Sequence, residues 1–354
     1  MPPPHSAGRG AISIKNVTKV YDPGGVNVKA VDDCSMEIAP GEVCMIVGPS
    51  GCGKTTLLNA IAGFHSITTG EIRLDGELLC GPGKPLAAQG ADRIVVFQHG
   101  ALFPWKTLAQ NVAYGPMVQG KLSKRQALDK ARTMLAEAGL GEFCEKYPGE
   151  VSSGMARRAE IVRALINNPK VLLLDEPYRA MDALTKSIMH EALLEVYDRT
   201  RVTIFFITHD LEEAIFLGDR VYVLTTRPCR LKKMVEVPIP RPRSHEVLSS
   251  EQFRLLVEET KDAVHEEAIK AFQAGERELL VRGTPTRNVG RGRGGTRERR
   301  QRAEIADADG ELALRPGVGE IDRLDRHALR RPPRGGGRHA RRAGVAEPQH
   351  HHGD

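Results

Sequence analysis

The chain has 354 residues, 40% of them hydrophobic and 27% charged, a length that suits roughly two domains, or one large domain with extensions, and a sizeable core. Its formal charge of +6 is unevenly placed: residues 283–354 carry 16 Arg against 10 acids, and the remaining residues carry 35 charges of each sign. The high isoelectric point therefore belongs to the tail, and a nucleic-acid-binding body is not implied.

No apolar run approaches the ~18–20 residues that cross a bilayer; candidates such as Val171–Leu174 and Ile204–Ile207 are strand-sized. The start, Met1-Pro2-Pro3-Pro4-His5-Ser6, lacks the charged-then-apolar pattern of a secretory signal. Cys34, Cys44, Cys52, Cys80, Cys144 and Cys229 show no metal-binding spacing and read as reduced thiols scattered through a core. A protein of the cytoplasm is expected.

Ile12–Tyr21 alternates apolar and polar residues, as a half-buried strand does. Asp22-Pro23-Gly24-Gly25 follows as a turn, and Val28–Ile38 reads as a second strand. Glu42–Val47 is a short apolar run that ends in a Gly-rich loop, after which Thr55–Ala62 has helical composition. Further strands fit at 71–79 and 93–97. From about Lys106 to Asn167 the character changes, with helix periodicity over Lys124–Ala138 and Met155–Ile166, and this stretch reads as a helical insertion. Strand Val171–Leu174, helix 184–199, strand Val202–Ile207, helix Leu211–Leu217 and strand Arg220–Leu224 follow in alternation, which implies a largely parallel sheet covered on both faces. An amphipathic helix is expected over Ser249–Ala274, after the Pro-rich breaker Pro238–Pro242.

Residues 283–354 contain no Lys, Met, Cys, Phe, Tyr or Trp, too little apolar surface to offset the entropy of ordering. They read as a disordered extension. So narrow an amino-acid set is also what a shifted reading frame through GC-rich DNA would yield. An Arg/Gly-rich nucleic-acid tail is the weaker reading, because no aromatic residues are interleaved for base stacking. The run His350–His352 is assigned no function.

Two motifs carry the chemistry. Gly48-Pro49-Ser50-Gly51-Cys52-Gly53-Lys54-Thr55 fits the phosphate-loop pattern Gly-x4-Gly-Lys-Ser/Thr between a strand and a helix. Its glycines let backbone N–H groups curl around phosphate oxygens, and the following helix adds its positive dipole end. Lys54 is expected to reach the β and γ phosphates and Thr55 to ligate Mg²⁺, with Thr56 next along the same wall. In Val171-Leu172-Leu173-Leu174-Asp175-Glu176-Pro177, Asp175 emerges at the carboxyl end of a buried strand, where ligands bind in open α/β sheets. Asp175 is expected to hold Mg²⁺, and Glu176 to accept a proton from attacking water.

With these motifs the chain resembles the ATP-binding subunits of ABC transporters, over about residues 12–225 and on to 275, and within them the importers of nitrate, sulfonate, taurine and related small substrates. The resemblance implies a P-loop NTPase (ABC ATPase) α/β core with a mainly parallel sheet, an N-terminal antiparallel β subdomain and an inserted helical signature subdomain. The ATPase domain would span 12–275, with the helical subdomain at about 106–167 and a C-terminal helical extension at about 249–275. Tyr21 matches the aromatic that stacks on adenine. Gln98 matches the glutamine that reaches Mg²⁺ and senses the γ-phosphate, Asp182 the aspartate of the loop that crosses to the partner subunit, and His209 the switch histidine. The signature, Leu-Ser-Gly-Gly-Gln or a close variant in the family, is Val151-Ser152-Ser153-Gly154-Met155 here. Ser152 and Gly154 retain the pattern; Val151 and Ser153 depart from it, and Ser153 would introduce strain or steric bulk if that position needs a positive φ or a contact with the γ-phosphate. Arg179 and Met181, where a small residue and leucine are usual, depart as well.

The resemblance further implies a dimer, homodimeric or with a related subunit, in which ATP lies between the phosphate loop of one copy and the signature of the other. Glu176 would act on water while Lys54, Mg²⁺ and His209 stabilise developing charge. Separate transmembrane permease subunits and an extracytoplasmic substrate-binding protein complete the implied assembly, on the inner face of a bacterial membrane, with no specific nucleic acid. Trp105 is a candidate permease contact or a packed core residue. Two other readings stand beside this one. A degenerate nucleotide-gated subunit would hydrolyse weakly because of Ser153. A non-transport ABC ATPase of DNA repair or ribosome work would need a coiled coil or a second cassette, and the stretch from Lys54 to Asp175 holds only a helical subdomain.

Overall fold

The computed structural model describes residues 8–22, 25–179 and 181–282, with side chains described as far as Gln273. The Arg/Gly-rich tail and its histidine run lie outside the described residues. In chain order the first part gives β1 (Ile12–Tyr21), β2 (Val28–Ile38), β3 (Val43–Val47), α1 (Lys54–Ala62), β4 (Thr69–Leu74), β5 (Glu77–Cys80) and β6 (Arg93–Val96). Then come α2 (Leu108–Val118), α3 (Lys124–Glu137) and α4 (Ser153–Leu165). The last part gives β7 (Val171–Asp175), α5 (Ala183–Thr200), β8 (Thr203–Ile207), α6 (Leu211–Leu217), β9 (Arg220–Leu224), β10 (Leu231–Glu236) and α7 (Glu251–Arg282).

Two sheets result. The antiparallel one has the order β2-β1-β4-β5, and the larger one the order β10-β9-β3-β8-β7-β6. Strands β6, β7, β8, β3 and β9 run parallel, with β10 added antiparallel at the edge. Every residue of β3, β7 and β8 is buried, which is why these strands read as unbroken apolar runs rather than as alternation. One core lies between the sheets around Leu57, Leu58 and Ile61 of α1, with Ile12, Ile14 and Ile72 from the antiparallel sheet. A second covers the other face with Met189 and Leu193 of α5, Ile215 and Phe216 of α6, and Phe253 of α7. A third fills the helical insertion, from Leu108 and Val112 through Ala131 and Leu135 to Val162. Fully burying one such aliphatic or aromatic side chain contributes about 1.5–3 kcal/mol.

The structure corrects several expectations. The stretch 71–79 is a hairpin rather than one strand: Asp75 and Gly76 take positive φ, 51° and 80°, the turn that an Asp-Gly pair favours. α2 begins at a reciprocal cap in which the Thr107 hydroxyl accepts from Gln110 N and Gln110 Oε1 accepts from Thr107 N. In this stretch helical periodicity marks only α3 and α4. β10 was not expected, because only Val235 in it is buried and no alternation shows. α7 starts after a 3₁₀ turn at His245–Ser249 and continues to Arg282, past the expected Ala274. Trp105 is 69% exposed, so the core reading of that residue falls away.

Candidate functional site

The parallel sheet presents the carboxyl ends of β3, β6, β7 and β8 on one edge, and the sequence after each delivers a candidate group there: the phosphate loop, Gln98, Asp175 with Glu176, and His209. A cavity of about 360 Å³ is lined by Tyr21, Ser50, Gly51, Gly53, Lys54, Thr55, Thr56, Gln98 and Glu176, together with Val28, Ala30, Arg179 and Arg227.

The loop owes its shape to glycine at Gly53, the residue before α1, where φ is 123° and an added Cβ would lie 2.6 Å from the Ala30 carbonyl oxygen. No side chain caps α1 and no acid sits in its first turn, so the N–H groups that open this helix face the cavity as a ready anion cradle. Lys54 Nζ donates to the carbonyls of Gly48 and Pro49 at 2.8 and 2.9 Å, which holds the ammonium over the loop. Cys52 is buried beneath it with Cys34 and Cys229. The Cys229 thiol holds Cys52 down to about 7 against the effect of burial, with Lys54 helping. Cys229 itself, a free thiol beside Cys34 and Cys52, is pushed far up by those neighbours and by burial.

Thr55 Oγ1 donates to Asp175 Oδ1 at 3.3 Å. Burial pushes the Asp175 carboxyl above its ordinary range and the neighbouring Glu176 adds to this, while Thr55 and Lys54 pull the other way. A buried carboxylate beside a hydroxyl matches the hard oxygen donors that Mg²⁺ takes, and Gln98 on the cavity wall carries a further one. Among the described residues no group of three or more His, Cys, Asp or Glu side chains gathers as a metal site of another kind.

Glu176 takes φ 43°, a left-handed conformation that costs a non-glycine residue roughly 1–2 kcal/mol. Its N–H is tied to the Ile207 carbonyl at 3.0 Å. Glu176 Oε2 lies 3.5 Å from His209 Nδ1 and 3.2 Å from Arg179 Nη1. Tyr21 reaches His65 Nδ1 through its hydroxyl at 2.9 Å, and Lys19 Nζ sits 4.8 Å from its ring centroid.

The signature does not join this cavity. Ser152 caps α4, its hydroxyl accepting from Met155 N at 3.3 Å. Gly154 lies where an added Cβ would meet Thr185 Cγ2 at 2.9 Å, and Asp182 caps α5 by accepting from Thr185 N at 2.9 Å. Ser152, Ser153, Gly154 and Asp182 therefore form a second cluster, at the tips of two adjacent helices. Ser153 is the first residue of α4 and is not among the residues with positive φ. The strain expected of it is absent, because a helix start accepts any L-residue.

A strut behind Gln98 has no motif of its own in the sequence. Arg157 of α4, 7% exposed, donates to the carbonyls of Phe97 and Gln98 at 2.7 and 2.6 Å and to Glu160 Oε2 at 2.6 Å. Glu160 Oε1 accepts from Ala101 N, and fully buried Asn111 bonds the backbone of Phe103, Lys106 and Thr107. The available signal was an Arg and a Glu three residues apart on a face of α4 that is otherwise apolar.

A phosphate loop, a buried aspartate at the end of the neighbouring strand and a glutamate beside it define a nucleotide-binding ATPase built on a parallel sheet. Residues 31–179 match the family described as ABC transporter. The nitrate import ATP-binding protein of Synechocystis sp. is 43% identical over 229 residues, 65% of this chain and 83% of that protein. The taurine import ATP-binding protein of Roseobacter denitrificans is 42% identical over 230 residues, 64% of this chain and 82% of that one. The dimeric structure of a post-hydrolysis state of the ATP-binding cassette MJ0796, bound to ADP and Pi, superposes with a TM-score of 0.56 at 28% identity, over 65% of this chain and all of that one. The chain belongs to the ATP-binding proteins of ABC transporters, and is an ATPase of that family. Among the described residues no helix is long and apolar enough to cross a membrane.

Proposed function

We propose that the chain is the ATP-hydrolysing subunit of an importer for a small substrate of the nitrate, sulfonate or taurine type, working at the inner face of a bacterial membrane through separate permease subunits fed by an extracytoplasmic binding protein. The observation that carries this reading is the open start of α1 under Lys54, facing the Thr55–Asp175 pair. The names of the nitrate and taurine relatives support the substrate class.

Lys54 and the loop amides bind the phosphates, and Tyr21 stacks on the base. Thr55, Asp175 and Gln98 are the residues that would hold Mg²⁺, whose chemistry there is to neutralise phosphate charge. Glu176 orients water and takes its proton, and His209 bonds the terminal phosphate. Because Ser152, Ser153, Gly154 and Asp182 stand apart from the cavity of their own chain, they serve the nucleotide of a second copy packed head to tail. A dimeric relative supports that arrangement. Exposed Trp105, stacked on Phe103 at 5.6 Å between ring centroids, lies on the loop that Arg157 and Asn111 brace, and offers a permease contact.

Phosphate release in the presence of Mg²⁺ tests the reading. Glu176→Gln lowers turnover by about 10²–10⁴-fold, the usual worth of a general base, while nucleotide remains bound. Wild-type turnover in that variant would remove Glu176 from the role. ATP-driven uptake into vesicles that hold the permeases and binding protein tests the substrate class directly.

A further inference from the structure

Arg179 lines the nucleotide cavity yet belongs to neither phosphate motif. Its Nη1 is 3.2 Å from Glu176 Oε2, with the arginine side chain 56% exposed and the glutamate 15%. His209 approaches the same oxygen at 3.5 Å. Glu176 follows Asp175, which is bonded to Thr55, so Arg179 stands on the wall that carries the carboxylates and faces the same space as Lys54.

The pair is open to solvent on its arginine side, three residues apart in sequence and held by one nitrogen, so it is weak. The guanidinium has five N–H donors in a planar fork; one contact to Glu176 leaves the others free for a second anion. A triphosphate entering this cavity brings a stronger and more highly charged acceptor than a carboxylate, and phosphate oxygens match the fork. A bare Glu176 carboxylate would also repel the terminal phosphate, and a guanidinium bound to it offsets that repulsion.

We propose that Arg179 recognises the terminal phosphate of a nucleoside triphosphate, so that the site discriminates triphosphate from diphosphate more strongly than the phosphate loop alone does. The inference rests on the cavity being the nucleotide site, as proposed above. A diphosphate held by the loop and Lys54 stops short of Arg179 and gains nothing from it.

Calorimetric titration with the non-hydrolysable β,γ-imido analogue of ATP and with ADP, each with Mg²⁺, separates the possibilities. Arg179→Ala weakens the analogue about fivefold, the scale of one partly exposed charge-assisted contact, and leaves ADP affinity unchanged, which also shows that the variant is folded. Arg179→Lys keeps the charge and recovers part of the loss. Equal weakening of both ligands, no change in either, or no recovery with lysine overturns the inference while the nucleotide site stands. A wild-type chain that binds neither ligand overturns the site and the inference together.

Discussion

Replacing Gly53 by alanine places a methyl group where the fold has no room for one. The new Cβ would lie 2.6 Å from the Ala30 carbonyl oxygen and 2.9 Å from Cys229 Cβ. That oxygen already accepts from Cys229 N at 2.9 Å, so it cannot retreat without breaking a bond that ties β2 to the segment after β9. The φ of 123° adds backbone strain. Strain at such a position costs about 1–3 kcal/mol and overpacking about as much again, so the present loop shape becomes about 2–6 kcal/mol less favourable. If the loop escapes by leaving that shape, nucleotide affinity falls by at least about twentyfold, since each 1.4 kcal/mol is tenfold. Gly51 offers the comparison: its φ is 70° but the nearest atom to an added Cβ is Arg227 Nη2 at 3.8 Å. Gly51→Ala therefore meets only the left-handed penalty, about 1 kcal/mol or roughly fivefold. Calorimetric titration with ADP, beside a thermal melt of each variant, measures both effects. Wild-type affinity in Gly53→Ala, or a larger loss in Gly51→Ala, would refute the steric argument.

Other consequences follow from particular contacts. Arg157→Ala strips the partner from buried Glu160 and releases the carbonyls of Phe97 and Gln98, and denaturant unfolding should show a loss of about 3–5 kcal/mol. Ser153→Gly relieves no strain, so phosphate release should change by less than about twofold while the helix start loses up to about 0.5–1 kcal/mol; a several-fold rise in turnover would restore the idea of a subunit weakened by its signature. Burial alone would raise the Asp75 carboxyl, but the Lys170 ammonium and the N–H groups of Gly10 and Ala11 outweigh it and hold the group below its ordinary range. A carboxyl lowered by folding stabilises the protein above its unfolded pKa, and that contribution is lost as pH falls through the folded one. The melting-temperature gap between wild type and Asp75→Asn should accordingly shrink as pH drops below about 4. Trp105→Ala should lower recovery of the chain with its detergent-solubilised permeases in a pull-down.

The edge that carries the proposed site is legible because its groups lie at or just after strand ends: apolar runs that stay buried on both faces mark β3, β7 and β8, and the motif residues come with or directly after them. Less legible were elements whose residues are half exposed or whose pattern is interrupted. β10 buries only Val235, and the 71–79 stretch hid its turn inside an apparently continuous alternation, although Asp75-Gly76 marked it. The signature residues are proposed from their order in the chain, whereas the helix caps made by Ser152 and Asp182 are matters of local geometry that order does not reveal. The strut from Arg157 to Gln98 joins groups 59 residues apart, and no local pattern could have named the carbonyls at its far end. Ser153 shows the converse: a departure from a motif implied strain, and the backbone there turned out to be ordinary helix.

Light scattering on the Glu176→Gln chain, with Mg²⁺ and either ATP or ADP, tests the central claim most directly. The account predicts a dimer carrying two ATP molecules that returns to monomer when ADP replaces ATP. A chain that stays monomeric with ATP bound, or that binds no ATP at all, would contradict it.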